Sequence, residues 1–402
     1  MSAEAAAPEP QAQEGLWARA VDAIRSGDLG SWPVLIAVGF VFLYFGITAP
    51  NFFTPVNFEN LIGQMAGTCM LAYGVVFVLL IGEIDLSIGY VSGIAGVVVA
   101  ELQLSTGLHL PGLVCIAIAL LTTTVIGGFQ GSIVAFIGVP SFVVTLAGFL
   151  IWQGVILLTI TQGVIVIQDN TINNVYGYFF SDTWGWIIGV AVCVAYIAGT
   201  LGSALAGRRH GIPIRNPIMM ALKLVAVTAI VIATVATLNS DRGVPFALLL
   251  VVAMLLILTF LAKRTTFGRH VYAVGGNAEA ARRAGINVPR IRVLVFMISG
   301  FMAGLGGIVF AARLNSVDLN AGGGTLLIDA ISAAVIGGTS LFGGRGEVRN
   351  ALIGSLLIAT IANGMNILGK ATGTIYITTG IILLLAVTFD TIVRQRRIRA
   401  GR

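Results

Sequence analysis

Charge is what this chain has least of: 10% of its 402 residues are Asp, Glu, Lys or Arg, while 57% are hydrophobic and the mean hydropathy is +0.97. So little charge cannot clothe a water-facing surface, which excludes an ordinary soluble domain. Only three histidines (His109, His210, His270) and three cysteines (Cys69, Cys115, Cys193) are present, with no CxxC spacing among them, so no metal constellation can be assembled. The cysteines read as inert packing residues. There is no nucleophile elbow and no other catalytic set, hence no catalytic residue to name. The stretch GMNILGKA (364–371) comes near the phosphate-binding GxxxxGK[ST] pattern, but Ala371 stands where a Mg²⁺-binding hydroxyl is required and no strand precedes it. ATP is therefore not expected on this chain. The net charge of +6 does not indicate nucleic acid, because the basic residues lie in short segments between apolar runs, where insertion topology and anionic headgroups account for them.

What is abundant is apolar length and glycine, 51 residues of it. A helix needs about 20 residues to cross about 30 Å of hydrocarbon, so the reading is an all-α, polytopic transmembrane bundle of about 12 spans (10 to 12). The runs fall at 33–49, 60–82, 87–105, 111–137, 141–162, 186–206, 218–238, 244–262, 291–313, 326–342, 350–368 and 373–393. Glycine pairs at GxxxG spacing (Gly89/Gly93, Gly127/Gly131, Gly300/Gly304) predict close helix crossings. An even number of spans places both termini on one side, and the positive-inside rule makes that side cytoplasmic. Arg19, Arg25, Arg208, Arg209, Arg215, Lys223, the group Lys263 to Arg292, Arg345, Arg349 and the C-terminal arginines all fall there, leaving Arg242, Arg313 and Lys370 outside. The domain reading is a mobile cytoplasmic tail (1–31), a membrane domain (32–394) with a cytoplasmic segment at 263–292, and a basic tail (395–402). The first apolar run lacks a convincing cleavage site and is read as a retained span. Residues 163–185 form the longest external connection, with aromatics suited to the interface and able to meet a partner.

Three places carry polarity that a lipid-facing helix would not tolerate. In IGEIDLSIG (81–89), Glu83 and Asp85 interrupt an apolar stretch, and a carboxylate at depth must find water, a cation or a helix N-terminus. Asp85 or Ser87 can cap the following span at a helix break near the cytoplasmic face, with gating or solute contact as alternative roles. In the segment from Lys263 to Arg292, Asn277 can cap a short helix of strong formers through Ala284, and Gly285 can end it. Such a helix suits a groove on a soluble partner. In 328–349, Asp329 is followed by the Gly-rich turn containing Gly337, Gly338 and Thr339; it either faces a central cavity or caps a half-helix. Gln64, Gln130, Gln153, Asn363 and Asn366 could hydrogen-bond sugar hydroxyls with Trp152 stacking on a ring, or could be interhelical glue.

GEIDLSIG (82–89), TFGRHVYAVGGNAEAARRAGINV (266–288) and AVIGGTSLFGGRG (334–346) resemble the signatures of monosaccharide ABC-importer permeases of the ribose/xylose class, in the expected order. The apolar middle, 186–262, makes the layout most similar to that of D-xylose permeases. The resemblance implies a bacterial inner-membrane permease subunit that works as a homodimer. Its expected partners are a cytoplasmic ABC ATPase that carries ATP and Mg²⁺ and an external sugar-binding protein. It further implies that Gly276, Asn277, Glu279, Ala280, Ala281, Arg282, Arg283, Gly285 and Ile286 form the coupling helix that docks on the ATPase. Ribose, galactose or a nucleoside in place of xylose, and an ion-coupled secondary transporter using Glu83 and Asp85, are the alternatives.

Overall fold

In the computed structural model, residues 32–105, 107–209, 211 and 217–399 are described. The tail 1–31 with Arg19 and Arg25, His210, Arg215 and residues 400–402 lie outside them. The helices are α1 Trp32–Thr48, α2 Pro55–Leu80, α3 Ile88–Leu102, α4 Gly112–Ser132, α5 Ser141–Thr159, α6 Asn170–Gly177, α7 Asp182–Arg209 and α8 Pro217–Asn239. They continue as α9 Phe246–Arg264, α10 Thr266–Gly276, α11 Ala278–Arg283, α12 Val288–Leu314, α13 Leu326–Ile336, α14 Val348–Ile367 and α15 Thr372–Arg399. Each of the twelve apolar runs coincides with a helix, and starts are marked by chemistry that cannot extend a helix backwards. Pro55, Pro111, Pro140, Pro217 and Pro245 sit at or next to first turns, and Thr54, Asp169, Thr265, Asn277 and Asn287 accept backbone N–H bonds as N-caps.

Among the described residues, eight helices are long and apolar enough to cross a membrane: α2, α4 (with the π-turn Ile133–Ile137), α5, α7, α8, α9, α12 and α14. Four apolar helices or apolar helix parts are shorter: Val34–Thr48, Ile88–Leu102, Leu326–Ile336 and Thr372–Thr388. The helix of the 326–342 run is shorter than the run itself. Gly337 and Gly338 end α13 at Ile336, with Gly338 at φ +97°, so the helix extends only about 16 Å, half of the hydrocarbon thickness.

The centre of the bundle is α2, buried along 94% of its apolar window, with α12 packed beside it. The α4/α12 crossing is built on the glycine pairs. A Cβ on Gly127 would strike the Phe296 carbonyl, and one on Gly300 the Thr123 carbonyl, so the backbones touch where any side chain would hold them apart. By contrast, α7 and α8 are 11% and 6% buried in their apolar windows and pack chiefly on each other. They are tied to the body by Ile62, Val235, Leu238 and Val244.

Contacts between connections define two ends. At one, the basic end, the 81–87 loop meets the 265–287 segment and the 337–347 loop, and Lys263, Arg264, Arg269, Arg282, Arg283, Arg290, Arg292, Arg345 and Arg349 collect there. At the other, the long 160–181 connection is an ordered cap. Strand β1 (Val164–Val166) pairs with β4 (Ser316–Asp318), and β2 (Phe179–Phe180) with β3 (Val244–Pro245). Ile172 of α6 is fully buried. Arg242 lies at this end beside Glu59.

Candidate functional site

The short loop after α2 is where the sequence places its carboxylates, and the fold uses them differently. Glu83 is ion-paired with Arg292 at 3.0 Å. Asp85 is buried: its Oδ1 accepts from the Ser87 amide (3.0 Å) and hydroxyl (2.7 Å), and its Oδ2 accepts from the Ser299 hydroxyl (2.7 Å). Asp85 therefore satisfies the free amide ahead of α3, while Ser87, at the N-cap position, makes no side-chain cap of its own. Ser87 Oγ also lies 2.9 Å from Gln130 Oε1. Having one proton, it can serve only one of these acceptors. Turning the Gln130 amide would let its otherwise unpartnered nitrogen donate to Ser87, leaving the Ser87 proton to Asp85. The break is deeper than the sequence reading placed it. Ser299 is eleven residues into α12, about 16 Å from that helix's basic end, because the 81–87 loop climbs inward before α3 begins.

The three signature segments, far apart in sequence, meet at the basic end. Gly344 N donates to Leu80 O at 2.8 Å, and Gly275 abuts both so closely that a Cβ would collide with the Leu80 carbonyl. Tyr272 donates its hydroxyl to the Gly346 carbonyl at 2.7 Å, and Lys263 donates to Glu347 at 2.6 Å. Burial works against the charge on Glu347, but Lys263 and Arg349 outweigh it and hold the carboxyl below its ordinary range. The loop 337–347 is thus clamped onto α10. Helix α11 follows, with Asn277 Oδ1 accepting from Ala280 N at 2.9 Å and Gly285 at φ +84° closing it through the Ile286 N to Ala281 O bond (3.0 Å). Ala281 is buried and Ile286 half-buried against the core, whereas Gly276, Asn277, Glu279, Ala280, Arg282, Arg283 and Gly285 are exposed. Glu279 pairs with Arg282 (3.0 Å) and Arg283 (3.1 Å), which hold its carboxyl below the usual range.

A cavity of about 390 Å³ opens deeper in the bundle. The connection after α12 folds back into the bundle: Val317 lies against Gly96, the Ala321 carbonyl against Gly93 and the Gly322 carbonyl against Gly89, a descent of about 10 Å along α3. Ser92 of α3, Phe310 of α12, Asn320 and Thr325 of the loop, Asp329 of α13 and Tyr376 of α15 line the space. Asp329 sits in the first turn of α13 and accepts from the Thr325 hydroxyl (2.8 Å) rather than from a free backbone amide. None of the six sequence candidates for a solute path lines this cavity. Gln130 belongs to the Asp85 network, and Asn363 donates to Asn57 at 3.0 Å. Gln64, Trp152 and Gln153 are half-buried elsewhere in the bundle, and Asn366 is exposed near the opposite end. Ser92, Asn320, Thr325 and Tyr376 were not singled out from sequence; the only available signal was the glycine run that follows Asn320.

The family model described as branched-chain amino acid transport system, permease component, matches residues 57–387. The xylose transport system permease protein XylH of Escherichia coli K12 is 37% identical over 377 residues, covering 93% of this chain and 94% of that protein. Its counterpart in Haemophilus influenzae is 36% identical over 370 residues, covering 92% and 98%. The ribose import permease protein RbsC of Escherichia coli K12 is 33% identical over 356 residues, covering 89% and 92%. No solved structure gives a significant match. A match across most of the chain, on a bundle of apolar helices, establishes that the chain belongs to this family of transport-system permease components.

Proposed function

We propose that this chain is the membrane permease subunit of an ATP-driven importer that carries a monosaccharide, D-xylose first, across a bacterial inner membrane. The observation that carries the reading is the end-to-end similarity to two xylose permeases. The chain crosses the membrane about 12 times (10 to 12), some crossings being made by a short helix and its loop together, with both termini on the basic, cytoplasmic side. Two copies form the membrane unit. An external binding protein delivers the sugar at the capped end, and a cytoplasmic ABC ATPase carrying ATP and Mg²⁺ docks on the exposed face of α11. The ATPase does the chemistry; this subunit supplies the path and the coupling. Its motion reaches the bundle through α10, whose contacts hold the 337–347 loop, and through Arg292, whose partner Glu83 sits ahead of α3.

Reconstitution of the permease with its ATPase and binding protein into proteoliposomes is expected to give labelled xylose uptake that requires ATP. Uptake indifferent to ATP would overturn the reading. ATP-driven uptake of ribose alone would favour the second reading, a ribose importer, which rests on the 33% identity to a ribose permease.

A further inference from the structure

The cavity between α3, the folded-back 315–325 loop, α13 and α15 has the size of a small-ligand site, which typically spans about 300 to 1,000 Å³. Its lining is chemically selective. Two carboxylates face it, Asp318 and Asp329, and no Lys, Arg or His is among the lining residues. Asp329 makes no ion pair among the described residues. Its Oδ2 is occupied by Thr325, and no hydrogen bond from the described residues reaches Oδ1. A carboxylate at this depth without a counter-ion must be met by donors, and ionised carboxylates only accept. An anionic solute would be repelled, whereas the hydroxyls of a neutral polyol supply what Oδ1 lacks. Asn320 and Ser92 add further polar atoms from the loop and from α3. Phe310 and Tyr376 add aromatic carbon to the wall, apolar surface for the C–H side of a sugar ring.

We propose that this cavity is a holding site for the solute in transit and that Asp329 makes it selective for neutral, unsubstituted hydroxyl-bearing molecules over phosphorylated or acidic sugars. The proposal rests on the importer reading above and assigns its path. Losing a hydrogen bond to a charged group typically costs about 1.5 to 3 kcal/mol, or about tenfold to a hundredfold. Accordingly, Asp329→Ala and Asp329→Asn should each lower ATP-driven xylose uptake by the reconstituted complex about tenfold or more, while ATPase co-purification stays at the wild-type level. A second measurement does not depend on tolerance of the Asp329 changes. Asn320 is exposed and the native cysteines of this chain are buried, so Asn320→Cys gives the chain one accessible thiol for a methanethiosulfonate reagent, read on the permease band. Xylose should slow its modification in the complex and xylose 5-phosphate should not. Wild-type uptake that persists in both Asp329 variants, together with labelling indifferent to xylose, would sink the site and leave the importer standing. Absence of ATP-driven uptake of both xylose and ribose by the wild type would bring down the functional reading, and the site with it.

Discussion

At the scale of single residues, the buried carboxylate at the helix break and the clamp at Glu347 make separable predictions. Asp85→Asn keeps one acceptor and removes the charge, so it should lower transport while the complex still assembles, as read by uptake beside co-purification. Asp85→Ala strands the Ser87 amide and the Ser299 hydroxyl, at about 1 to 3 kcal/mol for each buried orphan, and should lower the melting temperature as well. Wild-type uptake by Asp85→Asn would mean that the charge is dispensable. Glu347 predicts a pH dependence. Its folded-state pKa is lowered from 4.5, so the stabilisation is full at neutral pH and is lost as pH falls through that lowered value. The melting gap between wild type and Glu347→Gln should therefore close on acidification below about pH 4.5, and a gap that widened there would contradict the clamp. Asp85 was legible because a carboxylate in an apolar run demands partners, and Ser87 stands two residues away. Its distant partners Ser299 and Gln130 were not, because a hydroxyl or an amide in an apolar helix looks the same whichever way it faces.

At the scale of elements, the helices were legible almost one for one, since each is an apolar run bounded by proline, a cap residue or glycine. Errors arose where chain chemistry and hydropathy disagree. Residues 337–342 stay apolar enough to extend a run, yet two glycines stop the helix. The connection 163–185 read as a loop because it lacks length in any one period, although paired short strands and α6 order it. Helix α11 was legible in full, Asn277 and Gly285 marking its ends. Its ion pairs lie in open solvent and contribute little to folding, so they are free to serve a partner. Reversing both arginines, Arg282→Glu with Arg283→Glu, should leave insertion intact and weaken ATPase association in a pull-down. Unchanged association would remove α11 from the docking face.

At the scale of the whole molecule, the segregation of basic residues to one end was readable from charge alone, because insertion acts on loops rather than on packing. The cavity was not. It is formed by a loop that turns back against α3 and by residues from five parts of the chain, which no run or spacing links. The peripheral hairpin of α7 and α8 lends itself to a direct test. Replacing residues 181–243 by a two-residue Asn-Gly turn should yield a smaller permease that still inserts and still binds its ATPase; failure to insert would make the hairpin part of the foundation. The reason lies in the small ladder at the capped end. Phe180 and Val244 are already paired across β2 and β3, at the spacing a tight turn closes. The chain leaves the body and re-enters it at the same doorstep, so the hairpin is an annex held otherwise by a few contacts on α2, those of Val235 and Leu238 with Ile62 and of Arg242 with Glu59. A genome could add or delete such an annex in one event without moving any wall of the main building.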